Sequence, residues 1–380
     1  MKLVFIRQRF NPFGGAETHL RALIKSLASQ GHRITVVAES WSYGAGFSPS
    51  QLGIRLVKLG AGSGFKYHRL RSFCRAASAW LTEEGKDRDA ALAVDRIPGI
   101  EVFWTAEGCH AAWLEARSGH VSPIKRLSFR INPLHRTHLA LEREMFSHPD
   151  LRLVLANSGL VRDDLLKHYS LNPELITVST SGVDPQRVIP AEPNEARARF
   201  RAEEGLGELP LILFVGSGFK RKGLRYAIEA LGLMENSAAV LVAVGGDRPG
   251  PYRKLASARG VGSRVRLLGT RADVPDLLAA ADVFVLPTIY DPGAISCLEA
   301  LVAGLPVVTT STNGSAEFIE PGRNGFVVDR ADDRAGLARA LDAALNLGRL
   351  EANRTAVPTV GEQVEEVLAH LQWIARGRTV

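Results

Sequence analysis

Twice in this chain a short apolar run breaks at glycine and gives way to a helical repeat of apolar residues. The first instance runs from Leu3–Ile6 through Gly14-Gly15 to Leu20, Leu23, Ile24, Leu27 and Ala28, spaced i, i+3, i+4, i+7, i+8. Gly31 stops that helix, and Ile34–Ala38 begins a new apolar run. The second instance is Leu211–Val215, the turn Gly216-Ser217-Gly218 and a helical stretch over Leu224–Leu233. Strand, turn, helix and returning strand make a βαβ unit, whose parallel sheet is covered by helices. Further strands are predicted at Val102–Thr105, Leu153–Ala156 and Ile176–Ser179, then at Ala239–Val244, Val265–Leu268, Val283–Pro287 and Leu305–Thr309. The fold class expected is α/β: two doubly wound Rossmann-like domains facing a central cleft.

The boundary between the two series lies at Asp184–Pro210, a stretch with four prolines, many charges and few large apolar residues. It reads as a linker with one short helix. The domains are therefore expected at 1–183 and 211–360, with a linker at 184–210. The last segment, 361–380, carries a helix over Gly361–Ala375 that is open to packing on either domain, back on the first included. A chain of 380 residues has room for both domains. With 46% apolar and 23% charged residues it is neither disordered, collagenous nor a disulfide scaffold.

Three cysteines, Cys74, Cys109 and Cys297, lie far apart, which speaks for a reduced, cytoplasmic setting and against a zinc site. The opening MKLVFIRQRF lacks the long apolar core of a signal peptide. No apolar run approaches the roughly 18–20 residues that span a bilayer, so membrane contact is expected to be peripheral, on the inner face. Charge is unevenly placed. Residues 1–180 hold 24 Lys and Arg against 16 Asp and Glu, a balance of +8, whereas the other 200 hold 23 against 24, a balance of −1. Lys66, Arg69 and Arg71 fall in an acid-free stretch at 61–82, and Lys125, Arg126 and Arg130 in another at 116–141. Apolar and aromatic residues interleave with them: Phe65, Tyr67, Leu70, Leu127, Phe129. The first domain is expected to meet an anionic membrane surface or a phosphorylated glycolipid. Nucleic acid is not expected, since no recognition motif accompanies the charge.

Ligands of open α/β sheets bind beyond the carboxyl ends of the strands. Three motifs sit there. Phe13-Gly14-Gly15-Ala16-Glu17 opens a helix, where glycines admit a close approach and amides favour an anion; a plain tight turn explains it as well. Gly216-Ser217-Gly218-Phe219-Lys220-Arg221-Lys222-Gly223 joins flexible glycines to three consecutive cations, suited to a diphosphate or simply a solvated basic loop. The third is Asp291-Pro-Gly-Ala-Ile-Ser-Cys-Leu-Glu299, continuing into Ala-Leu-Val-Ala-Gly-Leu-Pro-Val-Val, with a helix starting near Ile295. Asp291 falls in the loop and Glu299 about one turn into the helix, so both carboxylates can face one ligand and accept hydrogen bonds from its hydroxyls.

This third stretch resembles the E-x7-E signature of the family 4 retaining glycosyltransferases, EPFGxxxLEAMAxGxPVV. Gly14-Gly15, Asn157-Ser158, Ser181-Gly182-Val183-Asp184, the Gly216–Gly223 loop, Gly245-Gly246-Asp247 and Thr312–Phe318 agree in the same order. FNPFGGAE, Ser40-Trp41, VFWTAEGCH and FVGSGFKRKG are most similar to the lipopolysaccharide core α-glucosyltransferases acting on the first heptose. The resemblance implies the GT-B fold and a retaining hexosyltransferase that uses a nucleotide diphosphate sugar, in the first instance a UDP-sugar, with a glycolipid or polysaccharide acceptor. It implies no metal and no resident cofactor. Glu299 matches the acid on the ribose hydroxyls, and Asp291 the acid near the donor sugar. The amides of Gly293, Ala294 and Ile295 match those on the sugar and β-phosphate. Lys222 matches the pyrophosphate lysine, Gly15 the glycine opposite it, and Glu107 an acid near the reacting sugar. His110, three residues on, is a further candidate or a packed histidine. Asp291 replaces the usual glutamate and Ser217 the usual arginine, leaving Lys220 or Arg221 to supply the missing charge, and Ser181 replaces the usual asparagine. Two alternatives stay open: a nucleotide-sugar epimerase of the same fold, and a nucleotide-sugar-binding module without turnover.

Overall fold

The computed structural model describes residues 1–10, 15–42, 47–60, 62, 64–352 and 355–377. The chain divides into two units, Met1–Gly182 with Val360–Val380, and Val183–Thr359.

The first unit is built on a seven-stranded sheet. Its spatial order is Arg55–Lys58, Arg33–Ala38, Lys2–Ile6, Ala90–Ala93, Val102–Trp104, Leu153–Ala156, Ile176–Val178. All pairings are parallel. The second unit has six parallel strands in the order Val265–Gly269, Val240–Val244, Leu211–Val215, Val283–Leu286, Val307–Thr310, Gly325–Val328. Arg55–Lys58, Ala90–Ala93 and Gly325–Val328 are strands beyond those expected from the sequence. In each sheet the winding reverses beside the first strand: Lys2–Ile6 lies against Ala90–Ala93, and Leu211–Val215 against Val283–Leu286. Such a reversal opens a crevice at the carboxyl ends of the two strands, because their following segments diverge to opposite faces.

The apolar periodicity finds its use in packing. Leu20, Leu23, Ile24 and Leu27 of the helix Gly15–Ser29 are buried over the first sheet. Val364, Val367, Leu371 and Ile374 of the C-terminal helix Val360–Ala375 join the same cluster. Each fully buried aliphatic side chain contributes about 1.5–3 kcal/mol.

The 184–210 stretch differs from the expected linker. It holds two helices, Pro185–Val188 and Pro193–Glu203, and belongs to the second unit. Phe200 and Arg201 are buried. The Arg197 guanidinium donates to the carbonyls of Ala280 and Ala281 at 2.7 and 3.1 Å, and Arg201 Nε to that of Ala280 at 3.0 Å. Both arginines also pair with Asp282 at 2.6 Å. Arg349 adds bonds to the carbonyls of Leu278 and Ala281. Three cations thus close the C-terminal end of the helix Val274–Ala280, where unpaired carbonyls carry partial negative charge. The arginines that made the stretch look solvated are the groups that anchor it.

Candidate active site

In the second unit the strand Leu211–Val215 ends in Gly216-Ser217-Gly218 and runs into a one-turn helix, Phe219–Lys222. Phe219 holds the turn by burying its ring against Phe214 and Tyr252. Ser217 Oγ accepts from the Gly246 amide at 3.1 Å, and Asp247 accepts from the Gly218 amide at 2.6 Å. The glycine loop is therefore tied to the loop that follows the neighbouring strand Val240–Val244. Gly223 closes the turn with φ +81°, and a Cβ there would stand 1.8 Å from the Pro287 carbonyl oxygen. Only glycine permits that approach.

The approach sets Lys222 and Arg221 beside the loop after Val283–Leu286. Lys222 Nζ lies 2.7 Å and Arg221 Nη1 2.5 Å from the same atom, Asp291 Oδ2. Arg221 Nη1 also donates to the Tyr290 carbonyl at 3.1 Å. The main chain of Asp291 is fixed on both sides: its amide donates to Thr312 O at 3.0 Å, and its carbonyl accepts from Gly314 N at 2.9 Å. Asp291 is buried. Burial works to raise its pKa, but Lys222 and Arg221 outweigh it and bring the carboxyl down to about 2. Lys220, the third cation of the run, is exposed and stands outside this cluster.

The helix Ile295–Val302 begins where the sequence placed it. Of the three amides singled out, Gly293 N donates to Asp291 Oδ1 at 3.3 Å and Ala294 N to Asn313 Oδ1 at 3.2 Å; Ile295 is the first helical residue. Asn313, inside the Thr312–Phe318 match, organises this corner. It receives Ala294 and Ser315 and donates to Thr309 Oγ1 and Cys297 Sγ. Burial pushes the Glu299 carboxyl above its ordinary value, against the opposing pull of Arg187 and Lys222. Arg187, on the helix Pro185–Val188, lay in the expected linker and was missed for that reason.

In the first unit Glu107 lies just past the strand Val102–Trp104. Its half-exposed carboxylate is gripped by two guanidinium groups, Arg7 at 3.1 Å and Arg96 at 3.4 Å. Arg7 also pairs with Glu17 at 2.9 Å and Asp95 at 3.2 Å, and Arg96 with the buried Glu142 at 2.9 Å. Glu142 further accepts from the His110 amide at 2.8 Å and from the Tyr169 hydroxyl. Although burial acts to raise it, Glu107 is held well below the usual carboxylate range by Arg7 and Arg96. It is a fixed anion at neutral pH. Burial first, and Arg96 next, push the His110 imidazole down to about 2. Its Nε2 lies 3.2 Å from His135 Nδ1, and its ring stacks on His138 at 4.6 Å. His110 is packed in a neutral histidine cluster.

Gly15 opens the helix Gly15–Ser29, while Gly14 lies outside the described residues. Lys66 and Arg71 are exposed on the helix Lys66–Thr82, but Arg69 is paired with Glu39. Lys125, Arg126 and Arg130 are exposed on the helix Pro123–Ile131, which Ser122 caps. On the same helix Ile124, Leu127 and Ile131 are 84%, 59% and 70% exposed. Among the described residues no helix is long and apolar enough to cross a membrane, and no group of three or more His, Cys, Asp or Glu is placed to hold a metal ion. The three cysteines are buried.

Residues 13–187 match the family described as Glycosyltransferase Family 4, and residues 196–356 the family described as Glycosyl transferases group 1. The chain joins a family 4 glycosyltransferase domain to a group 1 glycosyltransferase domain. It is 29% identical to the lipopolysaccharide glucosyltransferase WaaG of Escherichia coli (strain K12) over 91% of its own length and 90% of that protein's. The solved structure of WaaG superposes with a TM-score of 0.75 at 27% identity, covering 99% of this chain and 98% of that one. A structure of Anabaena HepE in complex with UDP-glucose shares the fold, with a TM-score of 0.70 at 20% identity over 98% of this chain and 99% of that one. The two parallel sheets are those of a GT-B glycosyltransferase, and the protein is an enzyme of sugar transfer.

Proposed function

We propose that this glycosyltransferase moves a hexose, in the first instance glucose from UDP-glucose, to a hydroxyl of a glycolipid or polysaccharide acceptor in cell-envelope synthesis, with retention of configuration. The observation that carries this reading is the convergence of Lys222 and Arg221 on Asp291 at the winding reversal of the second sheet. Two cations at such a crevice suit a diphosphate, and a carboxylate beside them suits a sugar hydroxyl. Kinship to WaaG, a lipopolysaccharide glucosyltransferase, supports the choice of sugar and of acceptor class.

In this reading the bond from the anomeric carbon to the β-phosphate oxygen breaks on one face of the sugar. The acceptor oxygen then bonds the same carbon on the same face, and its proton passes to the departing diphosphate. Lys222, Arg221 and the N-terminal end of the helix Ile295–Val302 stabilise the charge that develops on the leaving group. Glu299 takes the ribose hydroxyls. Its raised carboxyl pKa favours a hydrogen-bonding partner over a bare anion. Ile295 supplies an amide to the sugar and β-phosphate, the Gly293 amide joins it once Asp291 Oδ1 turns to the sugar, and the Ala294 amide is spent on holding Asn313. Glu107, kept ionised by Arg7 and Arg96, accepts a hydroxyl hydrogen bond and is too weak a base to take the acceptor proton itself. No resident metal is part of this reading, since the two cations carry the charge.

The exposed helix Pro123–Ile131 seats the first unit on an anionic membrane surface, with Ile124, Leu127 and Ile131 entering between headgroups and Lys125, Arg126 and Arg130 paired to them. Transfer of labelled glucose from UDP-glucose to an extracted envelope glycolipid tests the whole. Lys222→Ala and Glu299→Ala are expected to abolish it, and normal turnover in either variant refutes the assignment. Release of free epimerised nucleotide sugar instead of a glycosylated lipid identifies the epimerase alternative.

A further inference from the structure

Both cations of the donor loop meet one oxygen of one carboxylate. Lys222 Nζ and Arg221 Nη1 converge on Asp291 Oδ2, while among the described residues Asp291 Oδ1 has only the Gly293 amide at 3.3 Å. The main-chain bonds of Asp291 to Thr312 and Gly314 hold its backbone, so only its short side chain is free to turn. A diphosphate seated at these cations must draw them from Asp291, because an ammonium and a guanidinium already spent on a buried carboxylate have little charge left to offer.

Resting on the donor site proposed above, we infer that Asp291 is an exchangeable internal counter-ion: it holds Lys222 and Arg221 until a diphosphate takes them, then turns to the hydroxyls of the attached sugar. The exchange makes the site selective for loaded over spent donor. A nucleotide sugar replaces what Asp291 loses, since its hydroxyls donate to the released carboxylate. A nucleoside diphosphate takes both cations and leaves that carboxylate buried with one long amide contact, which is costly. Once the hexose has been transferred, Asp291 reclaims Lys222 and Arg221 and helps to expel the nucleotide. Simple charge attraction predicts the reverse preference, because the spent nucleotide carries the larger negative charge.

The test is calorimetric titration of the full chain with UDP and with UDP-glucose, for the natural protein, Asp291→Asn and Lys222→Ala. The natural protein is expected to bind UDP-glucose more tightly than UDP. In Asp291→Asn the cations are unclaimed, so UDP binding tightens about tenfold, the worth of one charge-assisted contact. UDP-glucose does not tighten in step, and the ratio of the two affinities closes. Unchanged or weaker UDP binding in Asp291→Asn, with Lys222→Ala weakened as expected, overturns the exchange and leaves the donor site standing. Undiminished UDP binding in Lys222→Ala overturns both. Should Asp291→Asn fail to fold, Asp291→Ser makes the same comparison, and a preference of the natural protein for UDP over UDP-glucose refutes the inference without any variant.

Discussion

Arg96 touches two carboxylates that lie in very different surroundings, and Arg96→Met separates their contributions. Toward the interior its Nε meets Glu142, which is 1% exposed, at 2.9 Å; toward the surface its Nη1 meets Glu107, whose side chain is 47% exposed, at 3.4 Å. Burial alone would lower the Arg96 pKa, yet Glu142 and Glu107 carry it above the usual arginine value. Methionine keeps much of the stem's volume and removes the charge. Removing one member of a buried ion pair costs about 3–5 kcal/mol, since the other is left uncompensated. Solvent screening limits the Glu107 pair to below about 1 kcal/mol. Glu142 retains the His110 amide and the Tyr169 hydroxyl, so the lower part of the first range is expected. Urea unfolding followed by tryptophan fluorescence reads this unit alone, because Trp41, Trp80, Trp104, Trp113 and Trp373 all belong to it. Adding Glu142→Gln removes the stranded charge and is expected to restore most of the stability. Transfer activity stays low in both variants, since Glu107 has lost a guanidinium in each. A loss below about 1 kcal/mol in Arg96→Met, or a double variant no more stable than the single, refutes the reasoning.

Two glycines of similar backbone conformation should part company. Gly218, at φ +82°, has open space where a Cβ would be, whereas Gly223, at φ +81°, has the Pro287 carbonyl 1.8 Å away. Gly218→Ala is expected to cost about 1 kcal/mol of backbone strain, and Gly223→Ala clearly more, with a raised KM for the donor as Arg221 and Lys222 shift; circular dichroism melts and donor kinetics compare them. Asp291 titrates lower folded than unfolded, so its contribution is present above about pH 4 and is lost as the pH falls through about 2. Far-ultraviolet unfolding of the chain between those limits is expected to show a steeper stability loss on acidification than Asp291→Asn shows.

The cluster of Lys222, Arg221 and Asp291 in the proposed donor site was legible because its groups come from two short motifs. Gly216 to Lys222 form one loop, and Asp291 and Glu299 are a turn of chain and a turn of helix apart. The strand-to-helix rhythm likewise gave both sheets. Edge strand Arg55–Lys58 escaped notice because it is polar at both ends, as edges tend to be. The charge cluster around Glu107 was hidden for a different reason. Arg7 and Asp95 become neighbours only when the sheet sets Ile6 beside Ala93, so that residues 88 apart leave adjacent strand ends together. Nothing local in the sequence marks Arg7, Asp95, Arg96 and Glu142 as one network. Arg187, Arg197 and Arg201 were misplaced by their setting among prolines, since charge and proline suggest a solvated tether until the buried carbonyls and carboxylates that receive them are seen.

The three arginines at the end of the helix Val274–Ala280 also decide where this protein can be cut or spliced. A fragment begun at Leu211, the first residue of the second sheet, would discard Arg197 and Arg201, leaving Arg349 alone on the helix carbonyls and Asp282 without either cation. Asp282 also receives the Leu211 amide, so the damage would reach the central strand itself. A fragment that keeps the second unit whole, the proposed donor half, runs from Val183 to Thr359 instead. Chimeras that exchange donor specificity between relatives must carry the proline-rich stretch with the sheet it clamps, and a library recombined at the apparent linker would inherit mismatched clamps at every junction.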